Sequence, residues 1–529
     1  MPTVLDSSPI TVIGMLERAP PDTPLLVLPH ETLTYGEVCA RSARLAAALA
    51  AKGIGRGDRV AVLLPNTAAW FLVAAACARL GVALVSLNVR LGAREIGDFV
   101  ARARCSAIFY DSIARAGEIA RALATVPMEK LSSVKLQVCC AAASTAPENL
   151  ASLLATKDSL AGEGAADDPF YIAPTSGTTS TPKLVVHTQR RVVHHAYDVA
   201  RAFSMRSGGK VLLALPLCGA YGFTTAMVCV AAGLPLVLHE MFEAGVVAEA
   251  IERHGITHLF GTNDMLAALL ATNGRTPAFP KLEIYGNANF TPGLPDLPRL
   301  AESRGVPITG MYGMTETMAF LAAQPNNIPV ERRAGGGGYL ICPTAQFRIR
   351  DPQSGELAKP GAEGELEVLT PDVTVGYFED TERTAAAFTT DGYLRTGDIA
   401  RANTDGTFDF IARAGDVLRV GGYLVSPAEI EDVIMAAAPL AACQVVEVSH
   451  ENRARPVAFV VPKSGEAVSE AVIAEVCGRD LAVYKRPIRI FVVETLPMVA
   501  GPNGAKVQKH VLREQAATLL AREDAAPSS

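Results

Sequence analysis

From about residue 30 to residue 280, short apolar runs alternate with alanine-rich stretches. RVAVLLP at 59–65, ALVSLNV at 83–89, SAIFY at 106–110 and PFYIAP at 169–174 read as strands, and Leu45–Lys52 and Trp70–Leu80 read as helices. A strand buried on both faces shows a continuous apolar run, so the alternation predicts an α/β fold with largely parallel sheet. Between about 335 and 412 the texture changes to short segments with turn signals: GGGG, DPQSGE, KPGAEGELEV, TTDGYLRTGD and NTDGTFDFIAR. That pattern predicts hairpins forming a small barrel-like or distorted sheet. After Gly415, SPAEIEDVIMAAA predicts a helix with Ser426 as N-cap, Pro427 at its first position and Glu429 in the capping-box place.

Val211 to Leu238 is uncharged for longer than the roughly 20 residues a membrane helix needs. Pro216, Gly219, Gly222, Gly233 and Pro235 interrupt it, and a helix tolerates such breakers poorly. The expectation is a buried strand, a short helix around Thr224–Ala231 and a second strand, with no membrane span.

The chain has 529 residues, more than the roughly 250–300 at which one hydrophobic core stops growing. Two domains are expected: residues 1–413, containing the turn-rich subdomain, and a small, mobile α+β domain over 414–529. With 49% hydrophobic and 19% charged residues, the composition supports large cores rather than general disorder. Lys and Arg number 48 against 54 Asp and Glu, with no run of five like charges, so no nucleic-acid surface is advertised. Ten cysteines lie scattered without a C-x-x-C pair or zinc spacing, and the N-terminus has no basic segment before an apolar stretch. Both features point to a cytoplasmic protein with reduced thiols.

Candidate chemistry concentrates in YIAPTSGTTSTPK, Tyr171 to Lys183, where a strand runs into a loop of Thr, Ser and Gly closed by Pro-Lys. Hydroxyls and backbone N–H groups in such a loop can wrap phosphate oxygens, and the lysine adds a point charge. It is not a Walker A loop, because Pro182 precedes Lys183. GIGRGD at 53–58 lacks the last glycine of a dinucleotide fingerprint and reads as the turn before a strand.

Further motifs follow in order: MYGMTET from Met311, YLRTGD ending at Asp398, ARAGD from Ala412 with Gly421-Gly422 after it, Tyr484-Lys-Arg-Pro487, and Gly504-Ala-Lys506. Together with the loop they resemble the adenylate-forming superfamily of acyl- and aryl-CoA synthetases, nonribosomal adenylation domains and luciferases. The resemblance spans essentially the whole chain. It implies an enzyme that joins a carboxylic acid to ATP, giving acyl-AMP and pyrophosphate, and then passes the acyl group to CoA.

By that resemblance Thr175, Ser176, Gly177, Thr178, Thr179 and Lys183 match the loop over the β- and γ-phosphates. Glu316 matches the Mg²⁺ ligand and Thr315 the hydroxyl that reaches the α-phosphate. Tyr312 and the Gly286-Asn287-Ala288 segment match the two sides of the adenine, and Asp398 with Arg413 the ribose contacts. Lys506 matches the lysine bridging carboxylate and α-phosphate; removing a comparable single donor lowers rates by about 10²–10³. Gly415 stands at the pivot about which the C-terminal domain rotates between half-reactions. Gly421, Gly422 and Arg486 match the CoA tunnel. The acyl pocket is expected from Tyr197, Asp198, Tyr221, Phe223, Asn287, Asn289, Gly310, Met311, Met314 and Met318, an apolar and aromatic lining that suits a flat ring acid. A buried Asp198 would demand a hydrogen-bond donor on the substrate.

Four departures from the family pattern bear on the second step. Ser180 replaces a loop glycine, Gly219 stands where many relatives place an aromatic gate, Gly415 stands where the pivot is usually charged, and Glu451–Pro456 offers no tryptophan for a CoA adenine. The missing gate leaves room for Tyr221 to supply it, or for an amine or a carrier-protein thiol as the acceptor in place of CoA. A nucleotide-binding protein without turnover is the remaining alternative. A monomer or homodimer is expected.

Overall fold

The structure is a computed structural model that describes residues 10–113, 117–141, 146, 148–162, 164–175, 182–290, 294–352, 354–414, 418–420, 423–425, 427–450, 453–501 and 504–524. Ser176, Gly177, Thr178, Thr179, Ser180, Gly415, Gly421, Gly422 and Ser426 lie outside the described residues, as does the side chain of Lys506.

Among the described residues two large sheets dominate. In the seven-stranded sheet, Ala83–Ser86, Arg59–Leu63, Ala107–Tyr110 and Leu136–Cys139 run parallel, and Pro169–Pro174 joins them parallel to Ala83–Ser86. Leu184–Thr188 then folds back antiparallel on Pro169–Pro174, the two strands that precede and follow the Thr/Ser-rich segment in sequence. In the thirteen-stranded sheet the parallel strands Val211–Leu213, His258–Thr262, Ile284–Ala288 and Ile308–Tyr312 lie side by side. The strands are short and apolar because helices cover both faces.

The uncharged stretch forms Val211–Leu213, the helix Ala220–Ala232 and Leu236–Leu238, with left-handed Gly233 (φ 66°) closing the helix. Elsewhere helix starts follow capping chemistry. Thr34 opens Tyr35–Ala51: its hydroxyl accepts from Glu37 N at 3.1 Å, and the Glu37 carboxylate accepts from Thr34 N at 2.8 Å.

The turn-rich segment does not close into a barrel. Its strands Gly337–Leu340, Phe408–Arg413, Leu394–Ala402, Glu363–Leu369 and Gln346–Arg350 extend the thirteen-stranded sheet antiparallel, attached through Ala322–Ala323 to the edge of Ile308–Tyr312. A distorted sheet is thus the form found. Within it the fully buried Glu367 is held by Arg348 at 2.5 Å and Arg350 at 2.8 Å, which meets the requirement that a buried charge be paired.

Beyond residue 418, Leu440–His450, Arg453–Pro462 and Arg489–Val492 form a three-stranded sheet, covered by the helices Pro427–Ala437, Glu470–Asp480 and Lys509–Asp524. Its two apolar clusters draw their residues only from 418–520. Leu512, Ala516 and Leu520, four apart, lay one face of the last helix on Val446, Val448, Val457 and Phe459. Lys506 lies in the hairpin strand Gly504–Val507, in register with Val499.

Candidate active site

The strand Ile308–Tyr312 ends in a tight loop. A 3₁₀ turn at Thr315–Thr317 is followed by Met318 and Ala319, both left-handed at φ 51° and 68°. A Cβ on Gly313 would strike the Ala319 carbonyl, so the loop closes on itself only with glycine there. Two adjacent non-glycine residues in this region carry backbone strain, and such strain collects at functional loops. The loop carries Thr315 and Glu316.

Glu316 is buried, and its Oε1 accepts from Tyr377 Oη at 2.9 Å. Tyr377 Oη in turn accepts from Lys183 Nζ at 3.0 Å, and the ammonium sits 4.5 Å from the ring centroid. The three side chains form a directed relay, Lys183 to Tyr377 to Glu316. Burial first, and the adjoining Glu316 second, hold the Tyr377 hydroxyl well above its usual pKa, so it remains a neutral donor. Thr175 and Lys183 close the base of the phosphate-type loop: Thr175 N donates to Lys183 O at 2.9 Å and Lys183 N to Thr175 Oγ1 at 3.1 Å. Among the described residues, Glu316 Oε2 and the Thr315 hydroxyl take part in no hydrogen bond. A buried carboxylate with one oxygen uncommitted fits a hard cation such as Mg²⁺.

A second constellation begins four residues earlier. Tyr312 donates its hydroxyl to Asp398 Oδ2 at 2.5 Å, and Arg413 Nε stands 3.1 Å from Asp398 Oδ1. Asp398 and Arg413 face each other in register on adjacent strands, and Thr396 Oγ1 accepts from Asp398 N at 3.1 Å. Tyr312 packs between Phe408 and Phe410, and burial together with Asp398 raises its pKa well above the ordinary value. Arg413 acts electrostatically on both Tyr312 and Tyr377, which ties the two constellations together.

Gly286, Asn287 and Ala288 form the end of the neighbouring strand, with Asn287 beside Gly310. Asn287 Nδ2 donates to Asn289 Oδ1 at 2.8 Å and Ala334 O at 3.1 Å, while its buried Oδ1 has no partner among the described residues. Glycine is required at 286 and 310 by packing: a Cβ would strike the Phe260 ring at one and the Gly335 carbonyl at the other.

The residues expected to line an acyl pocket do not all converge. Phe223 is fully buried within the main core, its ring stacked on Tyr171 at 3.8 Å and edge-on to Trp70. Met311 and Met318 join the same core, while Met314 packs against the turn-rich sheet. Tyr221 is fixed: its hydroxyl donates to Gly286 O at 2.8 Å. Tyr197 faces Arg18, whose guanidinium lies 5.6 Å from its ring, whereas Asp198 turns toward Cys342 and Asp372.

Asp198 has its donor within the chain, Arg201 Nη2 at 2.5 Å, so the expected demand on the substrate falls away. Burial raises the Asp198 pKa, and the Cys342 hydrogen bond and Arg201 oppose that shift. Asp198, Cys342 and Asp372 are buried with one ligand atom each within 4.8 Å of one another, and His195 Nδ1 stands 3.9 Å from Asp372 Oδ2. Arg201 pairs with Asp198, whereas both carboxylate oxygens of Asp372 are buried without a hydrogen-bond partner among the described residues, and Arg191 acts on Asp372 through its charge alone. Arg486, assigned to the CoA tunnel, donates its Nε to Leu481 O at 2.9 Å, just after the helix Glu470–Asp480.

Comparison with known proteins matches residues 16–378 to the AMP-binding enzyme model and residues 429–501 to the AMP-binding enzyme C-terminal domain. The chain belongs to the AMP-binding enzyme family. It is 28% identical over 488 residues to 2-succinylbenzoate–CoA ligase of Bacillus subtilis, covering 91% of this chain and 94% of that protein. It is 29% identical over 546 residues to 2-methylpropanoate–CoA ligase of Humulus lupulus, covering 97% and 96%. In structure it resembles O-succinylbenzoate coenzyme A synthetase of Bacillus subtilis in complex with AMP, with a TM-score of 0.81 at 25% identity over 95% of this chain and 98% of that one. No helix among the described residues is long and apolar enough to cross a membrane.

Tyr377 and His187 escaped the sequence reading. Tyr377 lies 61 residues from Glu316 and 194 from Lys183, in the two-residue strand Gly376–Tyr377 that pairs with Leu184–Thr188 and that no sequence pattern marks. His187 lies 128 residues from Thr315, whose carbonyl it contacts, and reads as one polar residue in an apolar strand.

Proposed function

We propose that this family member is an AMP-forming acid–thiol ligase: it adenylates a carboxylic acid with ATP, releases pyrophosphate and transfers the acyl group to CoA. The carrying observation is that a lysine, a hydroxyl and a buried carboxylate (Lys183, Tyr377, Glu316) meet one loop away from Tyr312, Asp398 and Arg413. Adenylation crowds anions together, and these groups divide that task. Lys183 and the Thr175–Thr179 loop hold the outer phosphates, with the Thr315 hydroxyl directed to the α-phosphate. Glu316 would hold Mg²⁺, which supplies charge neutralisation across the phosphates. Asp398 accepts from ribose hydroxyls with Arg413 steadying it, and Tyr312 and Gly286–Ala288 flank the base. Lys506 brings the attacking carboxylate to the phosphorus from the C-terminal part.

In this reading residues 1–413 are the adenylating domain and 414–529 a lid that turns at Gly415, which agrees with the separate apolar clusters beyond 418. Gly421, Gly422 and Arg486 then border the path of CoA. The acid is aromatic or cyclic, as one relative's name suggests for that relative. The protein works in the cytoplasm with its ten cysteines unpaired.

The test is pyrophosphate release across aromatic, cyclic and branched aliphatic acids, followed by product mass with CoA, with an amine, or with neither. Lys506→Ala should lose about 10²–10³ in pyrophosphate release with little change in thermal stability. Near-normal release by that variant would remove Lys506 from the chemistry. Acyl-AMP consumed by the amine but left untouched by saturating CoA would make amide formation the better reading.

A further inference from the structure

His187 is fully buried in the strand Leu184–Thr188, its ring roughly parallel to Tyr171 at 6.4 Å. Its Nε2 stands 2.9 Å from the carbonyl oxygen of Thr315. A carbonyl only accepts, so Nε2 carries the proton and Nδ1 is a bare lone pair, which has no partner among the described residues. Burial dominates the ring's titration and lowers its pKa to about 3, although the carbonyl bond opposes this. One neutral tautomer therefore presents one donor to one atom.

The same strand grips the loop a second time. Thr374 N donates to Glu316 O at 2.8 Å, and Thr374 Oγ1 donates to Val186 O at 2.7 Å. The successive carbonyls of Thr315 and Glu316 are thus both tied to Leu184–Thr188, one directly by an imidazole and one through a threonine. What they stabilise is the strained turn before left-handed Met318 and Ala319. An apolar side chain would fill the strand position without burying an unpartnered nitrogen. The polar bond that distinguishes histidine from such a residue goes to the loop bearing Thr315 and Glu316.

We infer that His187 is a positioning residue for the Mg²⁺–nucleotide end of the site: its Nε2–H holds the Thr315 peptide so that the Thr315 hydroxyl and the Glu316 carboxylate are set before ATP arrives. This rests on the proposed adenylation. Residues that orient a metal ligand from behind change metal affinity or activity by about 10–100-fold when removed.

Two variants test it. His187→Leu fills the space without a donor, and His187→Gln restores an N–H near the former Nε2. ATP affinity is measured by calorimetry at stepped Mg²⁺ concentrations, with melting temperature and, separately, KM for ATP and for the acid. His187→Leu should weaken the Mg²⁺-dependent part of ATP affinity by about tenfold and leave KM for the acid within about twofold, with His187→Gln recovering most of the loss. Mg²⁺-dependent ATP binding by the Leu variant equal to the parent's would overturn the assignment. So would equal losses in both variants that follow melting temperature. A parent that binds Mg²⁺–ATP but releases no pyrophosphate with any acid would refute the proposed reaction while the binding comparison still decides His187; a parent that binds no ATP overturns both.

Discussion

Tyr377→Phe isolates the hydroxyl that joins Lys183 to Glu316. The ring and its contact with the Lys183 ammonium remain, so no cavity opens and the change is confined to two hydrogen bonds, of 3.0 and 2.9 Å. Lys183 is half-buried, and water can take the place of the lost partner. Glu316 is only 5% exposed, so its Oε1 loses a donor that water replaces poorly. A hydrogen bond to a charged group contributes about 1.5–3 kcal/mol, and the Glu316 side of the relay should supply most of that loss. At about 2–4 °C per kcal/mol for a unit of 150–250 residues, and less for a larger one, the ligand-free variant should melt a few degrees low.

Nucleotide reverses the argument. In the proposed complex Lys183 turns to phosphate and Glu316 to Mg²⁺, so the relay must open on binding, and the parent bears that cost while the variant does not. Tyr377→Phe should therefore bind Mg²⁺–ATP up to about tenfold more tightly, the equivalent of about 1.4 kcal/mol, and its melting deficit should shrink at saturating nucleotide. Scanning calorimetry with and without Mg²⁺–ATP, together with titration calorimetry, measures both quantities. An equal melting deficit in the two conditions, with unchanged affinity, would show that the relay persists in the complex and refute the reasoning.

Two further outcomes follow from burial. Gly286→Ala drives a Cβ into the fully buried Phe260 ring and should cost about 1–3 kcal/mol in a denaturant titration, where an unchanged midpoint would show that the strand yields freely. Acid should destabilise the protein through His187: its folded pKa is lowered from 6.5 to about 3, so below pH 6.5 the unfolded chain binds the extra proton. Stability then falls as pH drops through that window, by about 1.4 kcal/mol per unit at most from this residue, and His187→Gln should flatten the slope; equal slopes would contradict it.

What the sequence made legible follows from the range of each interaction. The strand–helix–strand of Val211–Leu238 was readable because Pro216, Gly233 and Pro235 act locally, although the helix begins at Ala220 and takes in Gly222, which had read as a breaker. The motifs drew attention to Tyr312, Asp398 and Arg413, which the structure brings together across 86 residues and a strand register. Tyr377 and His187 had no such marker, since their partners are distant in sequence and neither sits in a distinctive pattern. The helix Ala220–Ala232 failed for another reason. It is apolar on every side, so no periodicity says which face meets a pocket, and Phe223 turned to the core beside Tyr171 while Tyr221 turned to the Gly286 carbonyl. Asp198 illustrates a third limit. Its partner Arg201 was visible three residues on, but burial was not, and only burial makes that pairing obligatory instead of decorative. Gly286 and Gly310 carry the same lesson at the backbone. A glycine in a motif invites a ligand as its explanation, yet here a phenylalanine ring and a neighbouring carbonyl already forbid any side chain, so their presence is not evidence for nucleotide until packing has been subtracted.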